Sequence, residues 1–514
     1  MQKIEKMQVL QVGYFNWAAD VKMPENIEWN FYTPENLHNL KDALEEKEVK
    51  IKNFSAIVLD DLLNIPALFE LPYSIEPYTI LYNENTFSYD TEILEFVKRY
   101  QARAWDLSEP EKICYLISRA FYNGQYGDKQ PPTSINVHHT FSGEYFYNGN
   151  KNIELRGEFG SDFQTLLTWR YNQTYKKDIP LDMWLEYEKE GDVEILVRFK
   201  FLVEGSLGET YLEKTYTEED LKKAIELDLP NGAYVAMSLE ARGEGILRVG
   251  DFHARYSRLG FGNFLLGGEI LSDSRRQEVI AYFHPGDLKP PLNVYFSGFR
   301  PAEGFEGYFM MRSMNSPFIL IGDPRLEGGS FYMGSDELEN KIRDYIQNHL
   351  DYLGFSTDQL TLSGLSMGTF GALYYGADFN PHAIVVGKPL VNVGDIALNL
   401  KLKRPEEFGT SLDMMKLIVG ESSPDAAQTL NQKFWDKFHK ADFSKTILAL
   451  AYMRDDDYDQ NAYHDILESL YNTSVRIISK SRPGRHNDAS APIIEWFFTQ
   501  YKNIMESDFG RELK

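Results

Sequence analysis

The sequence predicts an α/β protein in three parts, and three observations carry that reading. Short apolar runs alternate with helical spacing over residues 1–132 and again over 276–514; alternation of this kind builds layered α/β sheets. Between them, 133–275 changes to period-two runs separated by turns rich in Gly, Asn and Asp, the pattern of a β-sandwich. In the last part, Gly364-Leu365-Ser366-Met367-Gly368 follows an apolar run and precedes a small-residue helical pattern. That strand–turn–helix order is a nucleophile elbow. It makes 276–514 an α/β-hydrolase-like doubly wound sheet, preceded by a carbohydrate-binding-module-like β-sandwich and an N-terminal α/β (Rossmann-like) domain.

Composition bounds the function. The 514 residues suffice for about three domains. A net charge of −24 argues against charge-driven binding of nucleic acid or anionic lipid. The one cysteine, Cys114, excludes a disulfide within the chain and a Cys-based metal site, and is expected in a buried helix. No run approaches the ~20 apolar residues of a membrane span, and 1–6 lacks the apolar core of a signal peptide. A soluble, cytoplasmic protein is expected, in which the sequons at Asn172 and Asn472 carry no weight. No metal site and no bound cofactor are expected.

In the first part, 7–12, 56–60 and 79–82 read as strands, with helical spacing over 36–50 and 89–99. Asp60 and Asp61 follow a strand, where α/β sites often lie. No Gly-rich phosphate loop follows these strands, so the domain reads as structural or docking. Residues 124–132 read as a linker. The sandwich runs are 152–157, 192–199, 234–241 and 245–249. Its aromatics, including Trp169, Tyr171, Trp184 and Tyr187, suit a packed core or a surface that stacks on sugar rings.

In the third part, strands are expected at 278–283, 292–296, 318–321, 360–363, 383–386, 446–452 and 475–479. Helices are expected at 336–352 (with Ser335 as N-cap), 369–375, 424–438, 462–471 and 489–504. Segment 392–422 interrupts the rhythm and is placed as a cap over the site.

A serine hydroxyl needs a base within hydrogen-bond reach, and the base needs an orienting group. On this fold the chain order is Ser, acid, His. Of the histidines beyond Ser366, His382 precedes a strand, and His439 and His464 fall on polar helical patterns. His486, in loop 482–488 after the last strand, is the base. The acid belongs in 453–459; Asp456 is chosen, with Asp455 and Asp457 as alternatives, and the remaining aspartates read as a solvated, helix-capping loop. A divalent-metal reading of this acidic run leaves Ser366 and His486 unexplained. The oxyanion hole needs two donors: the Met367 N–H, and the Phe299 N–H from loop 297–301, where Gly298 permits a tight turn. Arg300 is a candidate substrate-binding residue or a surface ion pair.

The elbow, the 454–459 and 482–488 loops, Leu239-Glu240-Ala241-Arg242-Gly243-Glu244-Gly245 and Asp251-Phe252-His253-Ala254-Arg255-Tyr256-Ser257 together resemble the second accessory secretory protein of the Gram-positive accessory Sec system. The resemblance covers the whole chain. It implies a cytoplasmic protein, membrane-associated through an export complex, that O-acetylates N-acetylglucosamine on serine-rich-repeat glycoprotein adhesins and supports their export. It implies assembly with two sister accessory secretory proteins and engagement of the accessory Sec motor ATPase. The family's catalytic serine, acid and histidine map onto Ser366, Asp456 and His486. An acetyl donor of unspecified identity is required. Two rival readings are a carbohydrate esterase, in which water is the acceptor, and a non-catalytic export adaptor.

Overall fold

The computed structural model describes residues 6–45, 53–62, 68, 75–86, 90–206, 208–403 and 411–512. The N-terminal part is a five-stranded parallel sheet in the order Ile27–Tyr32, Met7–Val12, Ala56–Leu59, Ile80–Asn83, Arg103–Trp105. Alternate residues serve opposite faces: Leu10, Ile57 and Ile80 enter one core, and Val9, Val58 and Leu81 the other. Helices Leu37–Glu45 and Thr91–Tyr100 pack on the first face. Helix Pro110–Ala120 packs on the second and buries Cys114. Of the expected helices 36–50 and 89–99, residues 46–50 and 89 lie outside the described residues. Strands Ile27–Tyr32 and Arg103–Trp105 were not expected; both lie at sheet edges, where half-exposed side chains weaken the apolar signal.

The middle part departs from a sandwich of two separate sheets. Strands Asn152–Trp169, Leu181–Leu202 and Ala233–Tyr256 form one continuous antiparallel ladder in a nine-stranded sheet. Phe199 pairs in register with Met237, and Phe252 with Leu185. Positions 237 and 252 would stand about 50 Å apart on a straight strand, yet the rings of Phe199 and Phe252 are 5.9 Å apart. The sheet is therefore folded back on itself. The crease is a row of glycines facing one another across three strands: Gly191 opposite Gly245, Gly245 opposite Gly157, and Gly243 opposite Gly160. All five have positive φ. A Cβ at Gly243 would meet the Asp192 carbonyl oxygen at 1.8 Å, so no other residue fits there.

Two boundaries also move. Residues 127–130, expected in a linker, form strand Gly127–Gln130 against Phe252–Arg255; its Gly, Asp, Lys and Gln side chains carry no β signal, and it is joined to the sheet by backbone hydrogen bonds and the Lys129–Asp251 ion pair. Strand Gly268–Ser272 lies before the expected boundary at 275 but pairs with the catalytic sheet. Trp169 and Trp184 are buried, and the Arg276 guanidinium lies 3.6 Å from the Trp184 ring centre and 4.8 Å from that of Tyr187. Of the four aromatics singled out above, Tyr171 alone is exposed.

The C-terminal sheet has eight strands: Gly268–Ser272 (β1), Glu278–His284 (β2), Leu292–Phe296 (β3), Phe318–Gly322 (β4), Leu360–Leu365 (β5), Ala383–Gly387 (β6), Ile447–Met453 (β7) and Arg476–Arg482 (β8). Their order is β1-β2-β4-β3-β5-β6-β7-β8. β2 is antiparallel to both neighbours, and β4, β3, β5, β6, β7 and β8 run parallel. The central strands are continuous apolar runs because helices cover both faces. Asp336–Leu353, Met367–Phe379 and Pro424–Phe438 pack on one side and Ser490–Phe509 on the other. Segment 392–422 contains helices Val393–Lys403 and Ser411–Ile418, with 404–410 outside the described residues. No helix among the described residues is long and apolar enough to cross a membrane.

Gly243→Ala is expected to destabilise the folded sheet by roughly 2–3 kcal/mol, read as a lower urea midpoint by circular dichroism. An unchanged midpoint would mean that the crease tolerates a side chain.

Candidate active site

The site lies at the carboxyl ends of β5, β7 and β8, where an open α/β sheet exposes its loops. β5 runs straight into helix Met367–Phe379, leaving Ser366 between them at φ 53°, ψ −121°. A β-carbon at positive φ costs about 1–3 kcal/mol. The turn is possible because glycines flank it. A Cβ at Gly364 would lie 2.2 Å from the Gly368 carbonyl oxygen, and one at Gly368 would lie 2.0 Å from the Phe296 carbonyl oxygen. The Ser366 N–H donates to the Gly387 carbonyl of β6 at 2.9 Å. The Thr369 hydroxyl donates to the Ser366 carbonyl at 2.6 Å and accepts the Leu390 N–H at 2.9 Å.

Ser366 Oγ stands 2.8 Å from His486 Nε2, and His486 Nδ1 stands 2.8 Å from Asp456 Oδ2. His486 and Asp456 are buried, whereas Ser366 is half-buried. The carboxylate faces Nδ1, so that nitrogen carries the proton and Nε2 is left to accept from the serine. Asp456 Oδ1 is itself held by the Tyr458 and Asp459 N–H groups at 2.9 and 3.2 Å. The Tyr458 ring stacks on the His486 imidazole, with centres 4.4 Å apart and planes 15° apart.

Of the neighbouring aspartates Asp455 alone is exposed, Asp457 is half-buried and Asp459 buried, and each accepts backbone hydrogen bonds. Asp455 accepts the Gly484 N–H at 3.2 Å, and Asp457 accepts the His486 N–H at 3.0 Å. Asp459 is buried and accepts from the Val391 and Asn392 N–H groups at 2.8 and 2.7 Å and from the Asn392 side chain at 3.1 Å. Burial pushes its carboxyl up, against those hydrogen bonds. The run is acidic because two loops and the start of a cap helix offer it backbone donors. The cap closes on the same loop, where the Asn399 side chain donates to the Asp457 carbonyl at 2.9 Å.

Met367 is the first residue of its helix, so its N–H has no intrahelical acceptor and lies at the positive end of the dipole. Loop 297–301 runs alongside: a Cβ at Gly298 would touch the Leu365 carbonyl oxygen at 3.4 Å. The Gly298 N–H donates to Glu306 Oε2 at 2.8 Å, and the Phe299 ring covers Gly328. Arg300 turns its guanidinium toward the Ala302 and Phe305 carbonyls of its own loop, both at 3.5 Å. Sequence reasoning missed Tyr458 and Lys388. Lys388 follows β6 directly, is buried, and donates to Ser490 Oγ at 2.8 Å. Burial lowers its ammonium below the usual range, while Asp456 and Asp488 pull the other way. Its position just past a central strand was the available signal.

Sheet order and loop geometry place the C-terminal domain in the α/β-hydrolase class, with a serine, a histidine and a carboxylate arranged as serine acyl transfer requires. The chain belongs to the accessory Sec system GspB-transporter family, whose model matches residues 7–511. It is 46% identical over 507 residues to the second of the accessory Sec system proteins of Streptococcus gordonii, covering 99% of each chain. It is 47% identical over 510 residues to the corresponding Staphylococcus aureus protein, covering 98% of each. Among solved structures, a chain of the Glycosylation Associate Protein (Gap123) complex from Streptococcus agalactiae superposes with a TM-score of 0.94 at 40% identity, covering 99% of both chains.

Asp456→Asn is expected to slow labelling of Ser366 by a fluorophosphonate about 10³–10⁴-fold, by imposing the wrong histidine tautomer. Asp455→Asn, which loosens only a loop contact, is expected to cost less than about tenfold. Gel fluorescence against time reads both; equal losses would remove the distinction between the two carboxylates.

Proposed function

We propose that the chain is a serine-dependent O-acetyltransferase acting on N-acetylglucosamine of serine-rich-repeat glycoprotein adhesins, within the accessory Sec complex that exports them. The observation that supports acyl transfer is the unbroken relay from Ser366 through His486 to Asp456, with both contacts at 2.8 Å. The substrate and the export role rest on family membership and on the motifs that carry it.

In this reading His486 Nε2 takes the Ser366 proton as Oγ attacks the carbonyl carbon of the acetyl donor. The oxyanion is stabilised by the Met367 N–H and, as second donor, the Phe299 N–H. Collapse expels the donor's leaving group, which takes the proton back from His486, and leaves acetyl-Ser366. A sugar hydroxyl then gives its proton to His486 and attacks the acetyl carbon. Acetyl-sugar and free Ser366 result. No metal and no resident cofactor enter these steps; the acetyl donor is a co-substrate.

The partners are two sister accessory secretory proteins, a reading supported by the likeness to a chain of a three-component complex from Streptococcus agalactiae. The motor ATPase and the glycosylated adhesin complete the assembly, at the cytoplasmic side of the membrane.

Mass spectrometry of the adhesin glycan from wild-type and Ser366→Ala cells tests the reading. The expected result is loss of the acetyl mass from the sugar. Unchanged acetylation would leave an export adaptor, and release of acetate from modified glycan with no transfer from any donor would make the protein an esterase.

A further inference from the structure

One motif remains outside this chemistry. Asp251-Phe252-His253-Ala254-Arg255 lies at the end of the folded sheet, where it meets the catalytic domain. His253 is wholly buried, and Asp251 and Arg255 are nearly so. His253 Nδ1 bonds Glu303, and its Nε2 stands 3.2 Å from Glu186 Oε1. Arg255 holds Glu303 at 2.5 Å and also pairs with Glu278. Gln277 donates to the other Glu186 oxygen at 3.0 Å. Lys129 Nζ lies 3.4 Å from Asp251 Oδ2 and donates to the Pro324 carbonyl. Asp251 Oδ1 is buried and has no hydrogen-bond partner among the described residues.

We propose that Glu186, Asp251 and His253 bind one divalent cation, zinc foremost, which ties strands Leu181–Leu202 and Ala233–Tyr256 together where the folded sheet meets the catalytic domain. An oxygen of Glu186, an oxygen of Asp251 and a ring nitrogen of His253 lie within 4.8 Å of one another. Two ligands about 2.1 Å from a zinc ion at a tetrahedral angle stand about 3.4 Å apart; His253 Nε2 and Glu186 Oε1 are at 3.2 Å. One imidazole and two carboxylates suit a divalent ion of borderline softness.

The surroundings fit as well. A metal-binding histidine characteristically gives its second ring N–H to a carboxylate, as Nδ1 does to Glu303. Gln277 orients Glu186 in the same way. Lys129 occupies Oδ2 of Asp251, which leaves Oδ1 for the ion. Lys129 and Arg255, with Arg276 in electrostatic reach of Glu186 and Glu278, face four linked carboxylates, those of Glu186, Asp251, Glu278 and Glu303, so the acidic groups outnumber these bases and the pocket favours a cation.

The consequence is mechanical. Glu303 belongs to the loop that continues from Gly298 and Phe299, and its N–H donates to Gly127 of the folded sheet at 2.9 Å. An ion beside His253 would fix the imidazole whose Nδ1 bonds Glu303 of that loop.

Full-length protein, stripped with a chelator and freed of any affinity tag, is titrated with Zn²⁺ by calorimetry and elemental analysis. The expected result is about one tightly held zinc per chain and a raised unfolding temperature. Glu186→Gln and Asp251→Asn should each weaken zinc binding about 100-fold or more, with unchanged circular dichroism. X-ray absorption of the wild-type zinc complex needs no variant and should show a single imidazole with oxygen ligands. Absence of zinc uptake, uptake unaltered in both variants, or a shell of two or more imidazoles overturns the proposal.

Discussion

The backbone at Ser366 is the constraint on which the rest of the site depends. A non-glycine residue at φ 53° persists only where its surroundings over-determine it. Three contacts do so here. The Gly364–Gly368 approach leaves no room for the turn to relax, the Gly387 carbonyl holds the Ser366 N–H, and Thr369 ties the following helix turn to the loop after β6. The strain is a local cost of about 1–3 kcal/mol. It is offset by a sheet whose central strands are buried on both faces. The hydroxyl therefore projects beyond the sheet edge in one orientation, and a base can be placed against it by a different strand.

That placement explains the crowding of carboxylates after β7. The β7 and β8 loops must meet so that His486 and Asp456 face each other. Backbone donors of the β8 loop and of the segment after β6 are collected one by one: Gly484 by Asp455, His486 by Asp457, and Val391 and Asn392 by Asp459. One carboxylate is left for the imidazole. Four acidic neighbours with four tasks look redundant as a string of letters, and their division of labour comes from the direction in which each leaves the loop.

This sets what the sequence could show. Six of the seven predicted strands of the last part appear within two residues of their expected bounds, because a strand buried on both faces must be apolar throughout, whereas the edge strand Arg476–Arg482 runs three residues past its expected end through polar Lys480, Ser481 and Arg482. The elbow was legible because its glycines are sterically required. What escaped was geometry that the pattern of side chains does not carry. Strand Gly127–Gln130 joins the sheet through its ladder and the Lys129–Asp251 pair, neither of which its polar side chains announce. The crease reads as scattered turn glycines until register shows Gly191, Gly245 and Gly157 in one row and Gly243 opposite Gly160.

The folded sheet also touches the active-site side of the molecule. The turn at Gly149 and Asn150 reaches the cap helix Ser411–Ile418, where Asp413 accepts the Asn150 N–H at 3.0 Å and its side-chain amide at 3.1 Å. Lys151 donates to the Lys416 carbonyl at 3.2 Å. At Gly149 a Cβ would meet Asp413 Oδ1 at 1.8 Å, so the approach itself requires glycine. The cap in turn bonds the acidic loop through Asn392 and Asn399. A continuous chain of contacts thus runs from the sheet, through the cap, to the carboxylate that orients His486. At its other end the same sheet grips loop 297–306 through His253, Arg255 and Glu303. The folded sheet thus bonds both the cap that holds the acidic loop and the loop that carries Gly298 and Phe299.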